Sequence, residues 1–220
     1  MTDIASVIEH TILKPNCTLD EIRVLCEEAE KYHFAAVCVP PYFVRDAREI
    51  LPEHTKVKVS TVIGFPMGYA CIASKIEEIK RSIMEEADEL DVVINIAAVK
   101  SKHWNHVRND IDATVRAIHL HGKIAKLIIE TGLLTNDEIL KVCELGVNVG
   151  TNYFKTSTGF NGGGATLEAV TFLRKNTPKE IKIKASGSIQ SYKDAAGMIE
   201  AGAARIGCSA SLKIMSEQKI

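Results

Sequence analysis

Eight short apolar runs, rich in β-branched residues, alternate with amphipathic segments along this 220-residue chain. The runs predict strands at residues 10–14, 35–40, 57–64, 90–96, 125–131, 151–156, 181–186 and 204–209. Strand-and-helix units at a spacing of ~25 to 30 residues are typical of a (β/α)8 barrel, the TIM barrel of the α/β class. A doubly wound open sheet is the alternative, but no glycine-rich dinucleotide fingerprint follows the first strand. The sequence therefore predicts one TIM-barrel domain over residues 1–220, because no linker or low-complexity tract divides it.

Several predicted helices begin with a hydroxyl residue followed three positions later by an acidic one, which is the pattern of an N-terminal capping box. These pairs are Thr18 with Glu21, Ser74 with Glu77, Thr135 with Glu138, and Ser191 with Asp194. In the first helix, one apolar stripe is expected to lie against the strands. It comprises Leu19, Ile22, Leu25, Cys26 and Ala29.

The composition restricts the class of partner. Hydrophobic residues make up 46% of the chain, the formal net charge is −1, and no block of like charge occurs. The sequence therefore has no basic patch that would bind nucleic acid or a membrane surface, and we expect small-molecule chemistry.

The chain has no signal-peptide pattern and no window near the ~20 apolar residues of a membrane span, so we expect a cytoplasmic protein. Its six cysteines contain no C-x-x-C pair, which predicts reduced thiols.

Three charged residues lie near the ends of predicted strands among apolar neighbours: Asp91, Lys155 and Lys184. TIM barrels build their active sites at the carboxyl ends of their strands. A buried ion pair would explain one lysine beside Asp91, but a second ammonium nearby costs energy unless its field is used. Burial and a neighbouring cation both lower the pKa of a lysine, and an unprotonated lysine is a nucleophile. We therefore expect Lys155 to form a Schiff base, with Lys184 as its pKa-lowering neighbour and a proton relay, and with Asp91 as proton donor and acceptor. Position alone allows the two lysines to exchange roles.

Small residues follow the seventh and eighth predicted strands, in "ASGSIQS" and "IGCSAS". Backbone N–H groups in such loops approach anions closely, and TIM barrels commonly hold a phosphate there. The candidate phosphate-binding residues are Gly187, Ser188, Gly207 and Ser209. Ordinary turns would explain either loop alone, but their joint occurrence favours a phosphate site. Thr158 is a further candidate, as a substrate-binding hydroxyl.

Histidines suggest a metal-dependent alternative. His103 and His106 lie in one polar segment, and His119 and His121 lie close together in another. The first pair has no third ligand spaced nearby, which a zinc site requires. We therefore expect no metal site.

Seven segments occur in the order found in one enzyme family. They are "HTILKP", "TVIGFPMG", "DVVINI", "LIIETGLLT", "FKTSTGFNGGGAT", "IKASGSI" and "DAAGMIEAGAARIGCSAS". Over about residues 8 to 212 the chain resembles the deoxyribose-phosphate aldolases, which are class I aldolases of the (β/α)8 fold. The resemblance implies reversible cleavage of 2-deoxy-D-ribose 5-phosphate to D-glyceraldehyde 3-phosphate and acetaldehyde, without a metal or an organic cofactor. It also implies a homodimer.

The resemblance separates the roles of the two lysines. It implies that Lys155 of K-T-S-T-G forms the Schiff base, that Lys184 of K-A-S-G assists it, and that Asp91 relays protons. A catalytically silent sugar-phosphate-binding barrel is the alternative function. Such a protein should have lost a member of this set, and all three members are present.

Three positions depart from the family pattern. In the phosphate loop, Ser188 replaces a usual glycine and Gln190 replaces a common arginine. Ser188 can still offer its N–H and its hydroxyl if its backbone φ is not positive, so we expect slightly weaker phosphate binding. Glu86 also replaces a usual glycine, which we interpret as a change at a helix end that does not affect the chemistry.

Overall fold

The strands form a closed parallel barrel in the computed structural model, which describes residues 4–218. They are β1 (Ile8–Thr11), β2 (Ala36–Val39), β3 (Lys58–Ile63), β4 (Glu89–Val93), β5 (Ile124–Ile128), β6 (Tyr153–Lys155), β7 (Lys182–Ser186) and β8 (Arg205–Cys208). Each strand pairs with its neighbours in the sequence, and β1 pairs with β8 to close the barrel. The (β/α)8 prediction is confirmed, and the open doubly wound sheet is wrong.

Helices follow every strand. They are α1 (Leu19–Tyr32), α2 (Val44–Ile50), α3 (Ile72–Met84), α4 (Ile96–Lys100), α5 (Trp104–His119), α6 (Asn136–Asn148), α7 (Leu167–Asn176), α8 (Tyr192–Glu200) and α9 (Ser211–Glu217). Short 3-10 helices lie at Ile4–Val7, Pro41–Phe43 and Thr131–Leu133. Within residues 4–218, no helix is both long enough and apolar enough to cross a bilayer.

Three predicted strands run three residues past the observed ones, and the first of these is 10–14, because β1 ends at Thr11. The prediction 90–96 continues beyond β4, where Asn95 instead caps α4 by accepting a 3.0 Å hydrogen bond from a backbone N–H of that helix. The prediction 125–131 continues beyond β5, where Glu130 adopts a left-handed backbone conformation before a 3-10 turn. Ile94 and Ile129, the residues that directly follow β4 and β5, are buried, so the run of buried apolar residues continues beyond the end of each strand.

The first predicted strand, 10–14, starts two residues late, because β1 begins at Ile8. Its second residue is Glu9, which is buried in the barrel, so a charged residue interrupts the apolar pattern there. Five of the other predicted strands agree with the structure within two residues at each end.

Caps define where most predicted helices begin. Two capping boxes are confirmed, at Thr18 with Glu21 and at Thr135 with Glu138. Ser191 caps α8 by accepting a 3.1 Å hydrogen bond from the Asp194 N–H. The predicted box at Ser74 is wrong, because α3 begins at Ile72 and Ser74 lies inside the helix.

The strands place apolar and charged side chains in alternation. Leu90 and Val92 on β4 and Phe154 on β6 belong to the hydrophobic core. The charged residues Asp91, between the first two, and Lys155, after the third, are also buried. Helix α6 packs closely over β6, since a Cβ at Gly146 would lie 2.6 Å from the Phe154 ring. The predicted apolar stripe of α1 is buried except for Leu19, which is 41% exposed at the first turn.

Candidate active site

Lysines from three strands converge on one carboxylate inside the barrel. Asp91 on β4 is fully buried. Its Oδ2 accepts hydrogen bonds from Lys155 Nζ on β6 at 2.8 Å and from Lys184 Nζ on β7 at 2.6 Å. Its Oδ1 lies 2.9 Å from Lys126 Nζ on β5. The register produces this arrangement, because Lys155 lies beside Lys184 and Asp91 lies beside Lys126 across paired strands.

A second group of charges continues the network toward the amino-terminal ends of the strands. Lys126 Nζ lies 2.7 Å from Glu9 and 2.6 Å from Glu89. Arg205 contacts the same two carboxylates at 3.0 and 3.1 Å. Lys184 also pairs with Glu9, which links this group to Asp91. The predicted cluster of three charges is therefore part of a larger buried network.

Neighbouring charges set the protonation of this network. Burial raises the pKa of Asp91, but the surrounding lysines hold it well below its ordinary value. Burial also raises the pKa of Glu9, yet Lys126 and Lys184 bring it down to about 2. Burial lowers the pKa of Lys184, but Asp91 and Glu9 raise it to a net value above the ordinary one. Asp91 and Glu9 are therefore carboxylates and Lys184 is an ammonium at neutral pH.

A cavity of about 470 Å³ opens at the carboxyl ends of the strands. Lys155 lines this cavity, whereas Asp91 and Lys184 are not among its lining residues. The cavity also brings together all of the predicted substrate-binding residues: Thr158, Gly187, Ser188, Gly207 and Ser209. Of the three lysines that contact Asp91, Lys155 is therefore the one that lines the cavity.

Glycines permit close approaches around this cavity. Gly187 has a φ of 86°, and a Cβ there would lie 2.9 Å from Gly164 Cα, so the loops after β6 and β7 touch through their backbones. A Cβ at Gly207 would lie 2.9 Å from Lys184 Cε. Glycine on β8 thus makes room for the lysine stem that leads to Asp91.

The two phosphate-candidate loops present unused backbone donors. In the structure of residues 4–218, the N–H groups of Gly187, Ser188 and Ser209 donate no hydrogen bond to the protein. Ser188 has a φ of 61°, which does not meet the condition under which serine replaces glycine without strain. A left-handed serine costs roughly 1–2 kcal/mol. Glu86, with a φ of 72°, is likewise left-handed at the end of α3.

Glu130 is a buried carboxylate that the sequence predictions missed. It accepts hydrogen bonds from the Thr158 N–H at 3.1 Å, from Thr158 Oγ1 at 2.5 Å and from Asn161 Nδ2 at 2.9 Å. The Thr158 hydroxyl is therefore engaged in holding the loop after β6. Glu130 and Lys126 are both charged residues within predicted strands, so the criterion that selected Asp91 could have found them.

One group of residues has the spacing of metal ligands. Glu9, Cys38 and Asp91 bring ligand atoms within 4.8 Å of one another. Both carboxylates already bind lysine ammonium groups, which would repel a metal cation. Within residues 4–218, neither histidine pair of the metal-dependent alternative belongs to such a group. The donor set therefore suits ammonium groups better than a metal ion.

The model of a protein family described as "DeoC/LacD family aldolase" matches residues 4–217 of the chain. The chain belongs to this aldolase family. The deoxyribose-phosphate aldolase of Caldanaerobacter subterraneus subsp. tengcongensis is 47% identical over 220 residues, which are 100% of this chain and 95% of that relative. The deoxyribose-phosphate aldolase of Thermococcus kodakarensis is 48% identical over 214 residues, which are 97% of this chain and 96% of that relative.

A solved structure gives the same relationship. The tetrameric deoxyribose phosphate aldolase from Aeropyrum pernix is similar with a TM-score of 0.89 and 29% identity, over 98% of this chain and 91% of that chain. In the present aldolase, an amine that lines a cavity beside an ionised carboxylate can add to a carbonyl and pass protons to that carboxylate. This is the chemistry of a class I aldolase, in which the enzyme holds its substrate as an imine.

Proposed function

We propose that this aldolase reversibly cleaves 2-deoxy-D-ribose 5-phosphate to D-glyceraldehyde 3-phosphate and acetaldehyde through a Schiff base on Lys155. The observation that carries the proposal is that Lys155, bound to Asp91, lines the same cavity as the two phosphate-candidate loops. Relatives at 47% and 48% identity that span the chain are named for this activity.

The charge balance of the barrel interior supports Lys155 as the nucleophile. Among residues 4–218, the connected network holds four cations and three carboxylates: Lys126, Lys155, Lys184 and Arg205 with Glu9, Glu89 and Asp91. Loss of one ammonium proton makes the network neutral, which removes a repulsion that burial strengthens. Lys155 is the lysine of this network that lines the cavity, and the free amine is the nucleophilic form of a lysine.

Cleavage then follows from the imine. Lys155 Nζ adds to the C1 aldehyde of the open-chain sugar, and loss of water gives a protonated imine. The imine accepts the electron pair of the C2–C3 bond as that bond breaks, and the C3 hydroxyl loses its proton to a base. Asp91 is the ionised carboxylate beside Lys155 that receives protons in this step. D-Glyceraldehyde 3-phosphate leaves, and acetaldehyde remains bound as an enamine.

Proton return completes the cycle. Protonated Asp91 delivers a proton toward C2 of the enamine, which restores the imine, and water hydrolyses the imine to acetaldehyde and the free amine. Lys184 stays an ammonium throughout, because Asp91 and Glu9 raise its pKa. Its fixed charge holds Asp91 in place through the shared Oδ2.

The phosphate group is proposed to bind Gly187, Ser188, Gly207 and Ser209, and the unused N–H groups of Gly187, Ser188 and Ser209 can donate to it. Thr158 contributes to the wall of the site.

A homodimer and a cytoplasmic location are further parts of the proposal, drawn from the resemblance and the composition. The relative from Aeropyrum pernix is described as a tetramer. Light scattering on the purified protein distinguishes these two assemblies.

A cleavage assay tests the function. Purified protein is incubated with 2-deoxy-D-ribose 5-phosphate, and acetaldehyde and D-glyceraldehyde 3-phosphate are measured by separate coupled enzymes, with and without excess EDTA. We expect equal amounts of both products, no effect of EDTA, and no turnover by Lys155→Met. Turnover abolished by EDTA would support the metal-dependent alternative. Binding of the sugar phosphate without turnover would support the silent barrel.

A further inference from the structure

The mouth of the cavity carries a cation that the proposed mechanism does not use. Three charged residues line the cavity: Lys14, Glu21 and Lys155. Lys155 is buried and hydrogen-bonded to Asp91, so it belongs to the reacting centre. Lys14 lies in the loop after β1, its side chain is 50% exposed, and its Nζ lies 2.5 Å from Glu21. This leaves Lys14 as the exposed cation of the cavity lining.

The phosphate-candidate loops lack a cation of their own. A phosphate monoester carries a charge of about −1.5 to −2 at neutral pH. The loop after β7 offers N–H groups, the Ser188 hydroxyl and the neutral Gln190, and the loop after β8 offers Ser209. Backbone dipoles and hydroxyls orient a phosphate, but a positive charge adds stronger, charge-assisted hydrogen bonds.

The barrel closure brings Lys14 to this place. Because β1 pairs with β8, the loop that follows β1 adjoins the loop that follows β8. Ser209 of the β8 loop and Glu21, the partner of Lys14, line both the main cavity and an adjoining surface groove. The Lys14–Glu21 pair therefore lies at the side of the cavity where the phosphate is expected.

We propose that Lys14 is the phosphate-binding cation, which leaves Glu21 and pairs with the phosphate when substrate enters. The inference rests on the proposed function. The exchange is easy, because an exposed ion pair contributes little net stability and the lysine stem is flexible.

Glu21 makes the cation necessary. The capping box holds its carboxylate, whose Oε2 accepts a 2.9 Å hydrogen bond from the Thr18 N–H. A fixed negative charge at the cavity wall repels a phosphate unless a cation lies between them. Glu21→Gln keeps a residue that forms the same cap and removes this charge, so it should lower the KM for the phosphorylated sugar.

Steady-state kinetics on two substrates test the inference. For Lys14→Gln we expect the ratio of kcat/KM for 2-deoxyribose 5-phosphate to kcat/KM for unphosphorylated 2-deoxyribose to fall on the order of 10-fold. The loss should lie in KM. The matched control is Lys141→Gln, which removes an exposed lysine paired with Glu144 on α6, outside the cavity lining, and should leave the ratio unchanged.

A second variant separates charge from loop structure. Adding Gln190→Arg to Lys14→Gln supplies a cation from the neighbouring loop and should restore most of the ratio. An unchanged ratio in Lys14→Gln, or an equal loss with both sugars, overturns the inference while leaving the proposed function intact. If the wild-type protein does not cleave the sugar phosphate, the proposed function fails. Calorimetric titration with inorganic phosphate then still decides the role of Lys14, since weaker binding to Lys14→Gln supports it and equal binding overturns it.

Discussion

Asp91 joins two charged regions of the barrel that are alike in composition and different in access. On the amino-terminal side, two cations contact two carboxylates, so that their charges balance: Lys126 and Arg205 with Glu9 and Glu89. On the other side, Lys155 and Lys184 share a single carboxylate oxygen, and Lys155 lines the cavity. The first region is balanced and enclosed, whereas the second carries excess positive charge and is open to a ligand.

The comparison shows what distinguishes a buried lysine that stabilises the fold from one that reacts. Lys126 binds three carboxylates, which raise its pKa well above the ordinary value although burial lowers it. Such a lysine stays protonated, and an ammonium cannot act as a nucleophile. Lys155 has a single carboxylate partner in the described chain, which it shares with Lys184. Reactivity therefore follows from the number of anionic partners and from access, rather than from burial.

The largest effect is expected at Lys155. In Lys155→Met, kcat should fall on the order of 10⁴-fold or more, because within residues 4–218 no other lysine of the barrel interior lines the cavity. Stability should be kept or increased, since the change removes the excess buried cation. Cleavage assays and urea unfolding of the same samples check both statements. A variant that is folded and retains more than a tenth of the activity would contradict the assignment.

Substitution of the two remaining interior lysines should have different effects, one mainly on the free energy of unfolding and the other mainly on kcat. Lys126→Met leaves three carboxylates without their shared ammonium and should lower the free energy of unfolding by about 3–5 kcal/mol. Lys184→Met should lower kcat by roughly 10²–10⁴-fold, with a smaller loss of stability. Lys75→Met serves as a control, because Lys75 forms a buried pair with Asp110 at 2.7 Å outside the barrel interior. Equal kcat losses for Lys126→Met and Lys184→Met, in folded proteins, would remove the distinction between the two regions.

The carboxylate of Glu9, in the balanced region, should also make the free energy of unfolding depend on pH. The pKa of Glu9 is lowered from 4.5 to about 2, so its ionised form contributes stability that is fully present above pH 4.5. The difference corresponds to about 3 kcal/mol, and it is lost as the pH falls from 4.5 through about 2. Unfolding by urea at a series of pH values measures this loss. Glu9→Gln should show a flatter dependence in this range, and an identical slope would show that Glu9 does not carry the effect.

The smallest effect concerns the phosphate loop. Ser188→Gly should raise the free energy of unfolding by about 1 kcal/mol, because glycine adopts the φ of 61° without strain. Ser188→Ala keeps the strain and removes the hydroxyl, so it should give no gain. Glu86→Gly, at a φ of 72° away from the cavity, should stabilise the protein without changing KM. Equal stability of Ser188→Gly and Ser188→Ala would exclude backbone strain as the cause.

The barrel was predictable because each βα unit carries local signals, which are an apolar run, a cap and an amphipathic helix. Strand ends were less predictable, because buried apolar residues continue into the loops after β4 and β5. The cap expected at Ser74 failed for a related reason, since the helix starts one residue after Cys71 without a side-chain cap. Local patterns report burial and capping tendency, and tertiary contacts decide the boundaries.

The site was predictable in part. Asp91, Lys155 and Lys184 are charges in apolar strands, and the register brings them together. The contact between Glu9 and Arg205 joins residues that are 196 positions apart, and it exists only because β1 closes on β8. No local pattern contains that closure, so the pairing of Glu9 with Arg205 in the balanced half of the network required the structure.

The most direct test of this account is reductive trapping. The protein is treated with acetaldehyde and borohydride, digested, and mapped by mass spectrometry, with Lys155→Met and Lys184→Met run in parallel. We predict a two-carbon adduct on Lys155 in the wild-type protein and no adduct on that peptide in Lys155→Met. An adduct on Lys126 or Lys184 instead, or cleavage activity without any adduct, would contradict the claim that the open, unbalanced side of Asp91 is where the imine forms.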